Sequence, residues 1–339
     1  MNGYGIIIAV VVAVIVTVAA GIPIIPFLKR LKFGQEIREE GPSWHKSKQG
    51  TPTMGGVMII LGYFVAVGMA MLVSTVSGDF ISGQLKTPSL DLSVFLSGNV
   101  LAFGMAAVGF IDDYIKVVKK RNLGLTAIQK TLLQLVVSAS FLGCLALGGL
   151  KTTYIPFVGS VDVISGFGLV FWPIALLFIY GFTNAVNLTD GLDGLASSVT
   201  MVAACGLMFL SSCTGHSLNS VSAAALAGAC VGFMFWNGHP AKVFMGDTGS
   251  LYLGGMVVAL AFGTGKPILL LLFGFVYLCE AFSVMLQVAS FKLFKKRIFK
   301  MSPIHHHFEL CGWKENKIVF VFTLVTLITS AIAVVPIII

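Results

Sequence analysis

Residues 4–28 read YGIIIAVVVAVIVTVAAGIPIIPFL, with no charged side chain among them. A helix needs about 20 apolar residues to cross the hydrocarbon of a bilayer, and this run exceeds that. It is longer than the apolar core of a secretory signal peptide and no positive charge precedes it, so it reads as a retained first helix. Similar runs recur near 54–76, 93–115, 128–149, 167–187, 192–213, 219–236, 248–264, 267–291 and 317–338. The chain of 339 residues is 57% hydrophobic and 11% charged, with a mean hydropathy of +0.95. A soluble protein carries about 25% charged residues, so the bilayer is the solvent here. The expected fold is an all-α polytopic membrane protein of about ten transmembrane helices, a single integral membrane domain over 1–339. Pro23, Pro26, Pro173 and Pro267 fall near run ends, where a helix tolerates them best.

Loops assigned alternately to two sides divide the charges unequally. All but Lys86, Lys151 and Lys266 of the 22 Lys and Arg fall on one side. That side is cytoplasmic by the positive-inside rule. Both termini are then expected outside, which requires an even number of spans. The net charge of +8 expresses this bias, and no basic run interleaved with aromatics lies outside the loops, so nucleic acid is not an expected partner. Cysteines 144, 205, 213, 230, 279 and 311 form no C-x-x-C pair and read as packing residues.

Four stretches carry chemistry. FIDDYIK (110–116) ends an apolar run in two adjacent carboxylates, Asp112 and Asp113. In NAVNLTDGLDG (184–194), Asn184, Asn187, Asp190 and Asp193 recur every three residues, a polar seam at the end of a span. A turn built on the D-G dipeptides explains Gly191 and Gly194 but not the four-residue polar stripe. VFMGDTGS (243–250) puts Asp247 at a helix start, where it serves as a cap or, beside bound phosphate, as a Mg²⁺ ligand. Phe244 could stack on a base or simply pack. HKSKQGTPTMGG (45–56) offers Lys46 and Lys48 to phosphates but lacks P-loop spacing.

Asp112, Asp113, Asp190, Asp193 and Asp247 all fall at cytoplasmic helix ends, at one depth. Asp79, Asp91 and Asp162 read as outer loop residues. The segment 292–316 is a basic amphipathic and His-rich cytoplasmic loop. Lys292, Lys295, Lys296, Arg297 and Lys300 alternate with apolar residues, as in a segment lying on an anionic membrane surface. His305, His306 and His307 follow; three adjacent histidines cannot easily share one zinc, but can donate to phosphate oxygens. Glu280, in mid-run, is an ionisable group inside the membrane and is expected to be protonated or paired.

FIDDYIK, NAVNLTDGLDG, VFMGDTGS and PIHHHFE together resemble the signatures of the polyprenyl-phosphate N-acetylhexosamine-1-phosphate transferase superfamily, in order along the chain. GTPTMGG and PIHHHFE resemble its muramoyl-pentapeptide branch. The resemblance implies a bacterial inner-membrane, multi-pass enzyme that joins UDP-N-acetylmuramoyl-pentapeptide to undecaprenyl phosphate with release of UMP and with Mg²⁺ as cofactor. Carried over by motif, Asp112, Asp113, Asp190, Asp247, Lys130 and His305 are implied catalytic residues, with Asp247 the metal ligand. Lys48, Thr53, Asn187, Gly191, Leu192, Asp193, Asn237, Phe244, Ser250, Gln287, His306 and His307 are implied to line the substrate site. A homodimer is an open option for the assembly.

The physics is consistent with this. A lipid phosphate at the inner surface meets a soluble nucleotide at the helix ends where the aspartates stand, and cations offset the phosphate charge. Two mechanisms are open: direct attack by the lipid phosphate with Asp112 orienting or taking a proton, or a covalent phosphosugar on an aspartate. The second pKa of a phosphate monoester is near about 6, so a base adds little, and direct attack is the expectation. The rival readings are a sister enzyme that uses UDP-N-acetylglucosamine and, from another class, a secondary transporter of an anionic solute.

Overall fold

An N–H or carbonyl left open in hydrocarbon costs several kcal/mol, so a spanning segment must close its hydrogen bonds within itself as a helix. The computed structural model, which describes residues 3–31, 48, 50–76, 88–118, 124–155 and 158–338, follows that rule at the apolar runs. The helices are α1 (Gly3–Arg30), α2 (Gly56–Val76), α3 (Pro88–Val118), α4 (Ala127–Leu147), α5 (Phe171–Thr189) and α6 (Leu195–Thr214). There follow α7 (Ser217–Asn237), α8 (Gly246–Gly263), the one-turn α9 (Leu270–Phe273), α10 (Phe275–Phe294), the short α11 (Ile304–Leu310) and α12 (Glu315–Ile338). Among the described residues, nine helices are long and apolar enough to cross a membrane. The protein is therefore an all-α, multi-pass membrane protein. Lys46, Asp79 and Lys86 lie outside the described residues.

Three details differ from the sequence expectation. Helix α1 runs through both Pro23 and Pro26; the N–H groups that proline removes are tolerated where neighbouring helices cover the freed carbonyls. The run 267–291 is broken: a 3₁₀ turn at Pro267–Leu269 and α9 precede Gly274, from which α10 starts afresh. The segment 292–316 is not a plain loop, because α10 extends to Phe294, the chain bends over 295–303, and α11 carries the histidines. The connection between α4 and α5 holds an antiparallel hairpin, β1 (Thr152–Ile155) with β2 (Gly159–Asp162), Thr152 opposite Asp162. The Trp172 indole N–H donates to the Val163 carbonyl at 2.8 Å and ties this connection to the start of α5.

Helix α8 is the centre of the bundle. Every residue from Thr248 to Gly263 is buried, and the helix packs along α3, α5 and α2. Small residues allow this approach: Gly249 meets Gly56, Gly254 meets Thr183 and Gly255 meets Ala102. In a bilayer, where apolar side chains gain little by leaving lipid, such close packing is what holds helices together. The first turn of α8 also lies against α3, where a side chain on Gly109 would meet the Asp247 backbone.

Candidate active site

Successive helical residues point about 100° apart, so Asp112 and Asp113 at the end of α3 go to different partners. Asp113 turns to α8. Its Oδ1 accepts the Asp247 N–H at 3.2 Å, and its Oδ2 accepts the Thr248 N–H at 2.9 Å and the Thr248 hydroxyl at 2.8 Å. These are donors that a helix N-terminus leaves open, and Asp113 caps them from another helix. Gly246 makes the turn into α8 with φ +69°; a side chain there would meet Asp113, Thr53 and the Met54 backbone. Asp113 is thus spent on holding the site together.

Asp112 turns the other way. Its Oδ1 accepts the Leu125 N–H at 2.7 Å, and its Oδ2 lies 2.6 Å from the Lys116 ammonium. Lys116 also reaches Asp247 Oδ2 at 2.8 Å. Lys130, in the first turn of α4 behind a capping box of Thr126 and Gln129, lies 3.0 Å from the same oxygen and 4.0 Å from Asp112. From α5, the Asn187 amide donates to Asp247 Oδ1 at 2.8 Å and to Ser250 Oγ at 2.7 Å. Three helices, α3, α4 and α5, therefore converge on Asp247 of α8. Carboxylate oxygens of Asp112, Asp113 and Asp247 lie within 4.8 Å of one another. With Asp113 committed to α8, Asp112 and Asp247, whose Oδ2 oxygens face the Lys116 and Lys130 ammoniums, are the pair that could exchange those contacts for a hard divalent cation, and one or two carboxylates completed by phosphate oxygens suit Mg²⁺. The donor set fits.

Asp190 caps α5. Burial first, then the charges of Asp247, Asp113 and Asp193, push its carboxyl up to about 8. The seam 184–193 does not continue past it. Helix α5 ends at Thr189, and the turn swings Asp193 into a second cluster. There the Lys48 ammonium meets Asp193 Oδ1 at 2.8 Å and Glu315 Oε1 at 2.7 Å. Glu315 also accepts the Asp193 N–H at 2.6 Å, while His239 Nδ1 lies 3.0 Å from Asp193 and 3.2 Å from Glu315. Burial pulls the Lys48 pKa down, but the hydrogen bonds and charges of Asp193 and Glu315 outweigh it and leave it raised. This network ties the α5–α6 turn to α12 and to the α7–α8 connection. Asp190 stands within the field of both clusters.

The remaining residues divide between frame and mouth. Asn237 is buried, accepting the Gly194 N–H at 3.0 Å and donating to the Val243 carbonyl at 2.9 Å. Leu192 is in the core. Phe244 is half-buried; its N–H donates to the Pro52 carbonyl and its carbonyl accepts the Gly55 N–H, both at 2.8 Å, which sets Thr53 beside Gly246. Gln287 clamps the bend after α10: its Oε1 accepts the Ile298 and Phe299 N–H groups and its Nε2 donates to the Phe299 carbonyl, each at 3.0 Å. The three histidines, spread around α11, have separate environments. His305 is buried against Glu280, His306 pairs with Glu309 at 2.7 Å, and His307 Nδ1 accepts the Lys300 N–H at 3.2 Å. Lys116, His239 and Glu315 complete the clusters. Lys116 has a sequence signal, its place four residues after Asp112; the other two have none.

Comparison with known proteins bears on the same residues. Glycosyl transferase family 4 matches residues 95–264, and signature 1 of the phospho-N-acetylmuramoyl-pentapeptide-transferases matches residues 48–60. A phospho-N-acetylmuramoyl-pentapeptide-transferase of Heliobacterium modesticaldum is 48% identical over 96% of this chain and 96% of its own length. The chain belongs to the phospho-N-acetylmuramoyl-pentapeptide-transferase family. Relatives of the same name from Halalkalibacterium halodurans, 45% identical over 96% of this chain and 95% of theirs, and from Clostridioides difficile, 41% identical over 96% of each, agree. Within this transferase family, the matched signature contains Lys48 and Thr53, and the family 4 match contains every aspartate of the two clusters.

Proposed function

We propose that this chain transfers phospho-N-acetylmuramoyl-pentapeptide from its UDP-linked form to undecaprenyl phosphate in the bacterial inner membrane. UMP is released and the first lipid-linked peptidoglycan intermediate, lipid I, is formed. The observation that carries the reading is the convergence of Asp112, Lys116, Lys130 and Asn187 on Asp247. Such a centre alternates anion and cation, as a site needs when two phosphate-bearing substrates must approach each other. In this reading α8 is a tenth span, both termini are outside, and the centre faces the cytoplasm with the Lys-rich loops. The chain acts as one integral membrane domain, with 292–316 lying at the inner surface. A homodimer would leave the reading unchanged, because all the named groups come from one chain.

The lipid phosphate oxygen attacks the β-phosphorus, the bond to the UMP oxygen breaks, and the sugar phosphate passes to the lipid. Asp112, fixed by the Leu125 N–H and Lys116, orients the attacking phosphate. Lys116 and Lys130 offset the charge that gathers on the transferring group, and Asn187 holds Asp247 in register. Asp247 and Asp112 would hold Mg²⁺, which supplies further neutralisation of phosphate charge. Lys48 exchanges its carboxylate partners for substrate phosphate, with Phe244 and Gly191 at the mouth and the buried Ser250 supporting Asn187. An unpaired ionisable group inside the membrane would favour a transporter, and Glu280 is instead paired with His305. The test is UMP release by purified protein supplied with UDP-N-acetylmuramoyl-pentapeptide. Release that requires undecaprenyl phosphate supports the reading; release that is independent of the lipid sinks it.

A further inference from the structure

Glu280 and His305 form a pair that the chemistry above does not use. Glu280 lies within α10 with 0% of its side chain exposed, and His305 opens α11 with 1% exposed. Glu280 Oε2 lies 3.1 Å from His305 Nδ1 and accepts the His305 backbone N–H at 3.4 Å. Burying two ionisable groups costs several kcal/mol even when they are paired. An apolar pair would pack α11 on α10 without that cost. The hydrogen bonding is also incomplete, since Glu280 Oε1 and both ring nitrogens of His305 have no hydrogen-bond partner. Buried polar atoms left in this condition call for an explanation.

The surroundings of the ring supply one. A side chain built on Gly191 would meet His305 Nε2 and Cε1 first, so Nε2 lies directly on the turn that carries Asp190. His306 lies beside it with ring centroids 4.1 Å apart and the planes tilted by 59°, and Asp190 precedes Gly191 in the turn. The geometry points to Glu280 as a positioning residue for the transfer reaction: its carboxylate, 3.1 Å from Nδ1 but out of hydrogen-bonding line, holds that edge of the ring by charge and turns Nε2 to the Asp190–Gly191 turn. A carboxylate behind an imidazole also fixes ring orientation in metal-bound and catalytic histidines. The bare glycine at 191 is what lets the ring reach the turn.

This inference rests on the proposed function, so its test begins with a wild-type preparation that releases UMP; failure there would fall on that reading alone. Glu280→Gln keeps the shape and one acceptor but removes the charge. It is expected to lower kcat about 10- to 100-fold, the usual effect of losing such a partner, with KM for the nucleotide substrate and the thermal midpoint unchanged. In a His305→Asn background the same change is expected to have no further effect on kcat, because Glu280 acts only through the ring. Wild-type kcat in Glu280→Gln would overturn the inference. So would an equal loss in both backgrounds, or a loss matched by a fall in the thermal midpoint, either of which marks a packing role. If Glu280→Gln does not accumulate folded, Glu280→Asp replaces it, with the same expected dependence on His305.

Discussion

Replacing Lys116 with Met removes one ammonium and leaves most of its apolar stem in place. That ammonium lies 2.6 Å from Asp112 and 2.8 Å from Asp247. Two charge-assisted contacts of this length, fully buried, would each be worth about 1.5–3 kcal/mol. The side chain is 34% exposed, however, which moves the value toward the 0–1 kcal/mol of a surface pair, and Lys130 stays within 3.0 Å of Asp247. The expected loss of stability is therefore about 1–2 kcal/mol. The catalytic loss is expected to be larger, about 10²- to 10³-fold in kcat, because a preorganised positive group is lost where charge gathers. The two carboxylates also lose their nearest neutralising charge, so half-maximal rate should need less Mg²⁺. Initial rates of UMP release across a Mg²⁺ titration, with thermal unfolding in the same detergent, measure all three. A variant that keeps kcat within about threefold would refute the reasoning, leaving Lys116 at most a structural counter-ion if the thermal midpoint falls.

Other outcomes follow from the same geometry. Asp113→Asn keeps one acceptor oxygen but turns the other into a donor facing the Thr248 N–H and hydroxyl, and should cost about 1–3 kcal/mol, read as a lower thermal midpoint, whereas Asp112→Asn should lower kcat with little change in midpoint. Gly191→Ala puts a methyl into the space of the His305 ring, so kcat should fall without loss of folded protein; full activity would mean that the ring is free to move. Asp190, at about 8 in the fold against about 3.9 in an unfolded chain, holds a proton that the unfolded chain has released. Its contribution to stability is complete below about pH 4 and is lost as pH rises toward about 8. Thermal midpoints of the chelator-treated protein from pH 5 to 9 should carry this decline, and Asp190→Asn should flatten it.

The spans were legible because the period of the apolar runs is a bulk property that survives without knowledge of partners. The α8 run at 248–264 falls outside the nine helices apolar enough to span, and only the structure shows that it is wrapped by neighbouring helices. The aspartates were legible as a set because carboxylates at one depth are costly unless something offsets them. Their division was not legible. Asp112 and Asp113 are neighbours in sequence but part by a helical turn angle, and Asp190 and Asp193 part because α5 ends between them. The histidines read as one phosphate-facing group in PIHHHFE, but α11 gives them separate partners, with His305 against Gly191 in the turn of Asp190. Glu315 and His239 had no signal, since their partners come from three distant segments. Glu280 was legible as an anomaly, and its partner His305 was legible as a motif; their meeting depended on the bend between α10 and α11.

The most direct test follows the sugar. UDP-N-acetylmuramoyl-pentapeptide labelled in the sugar is mixed with purified protein, undecaprenyl phosphate and Mg²⁺, in parallel with equally labelled UDP-N-acetylglucosamine. The account predicts that label from the muramoyl donor enters the lipid fraction, one UMP appears for each labelled lipid, and Asp247→Asn abolishes both. Transfer from the N-acetylglucosamine donor instead, or label bound to the protein before any lipid is added, would contradict it.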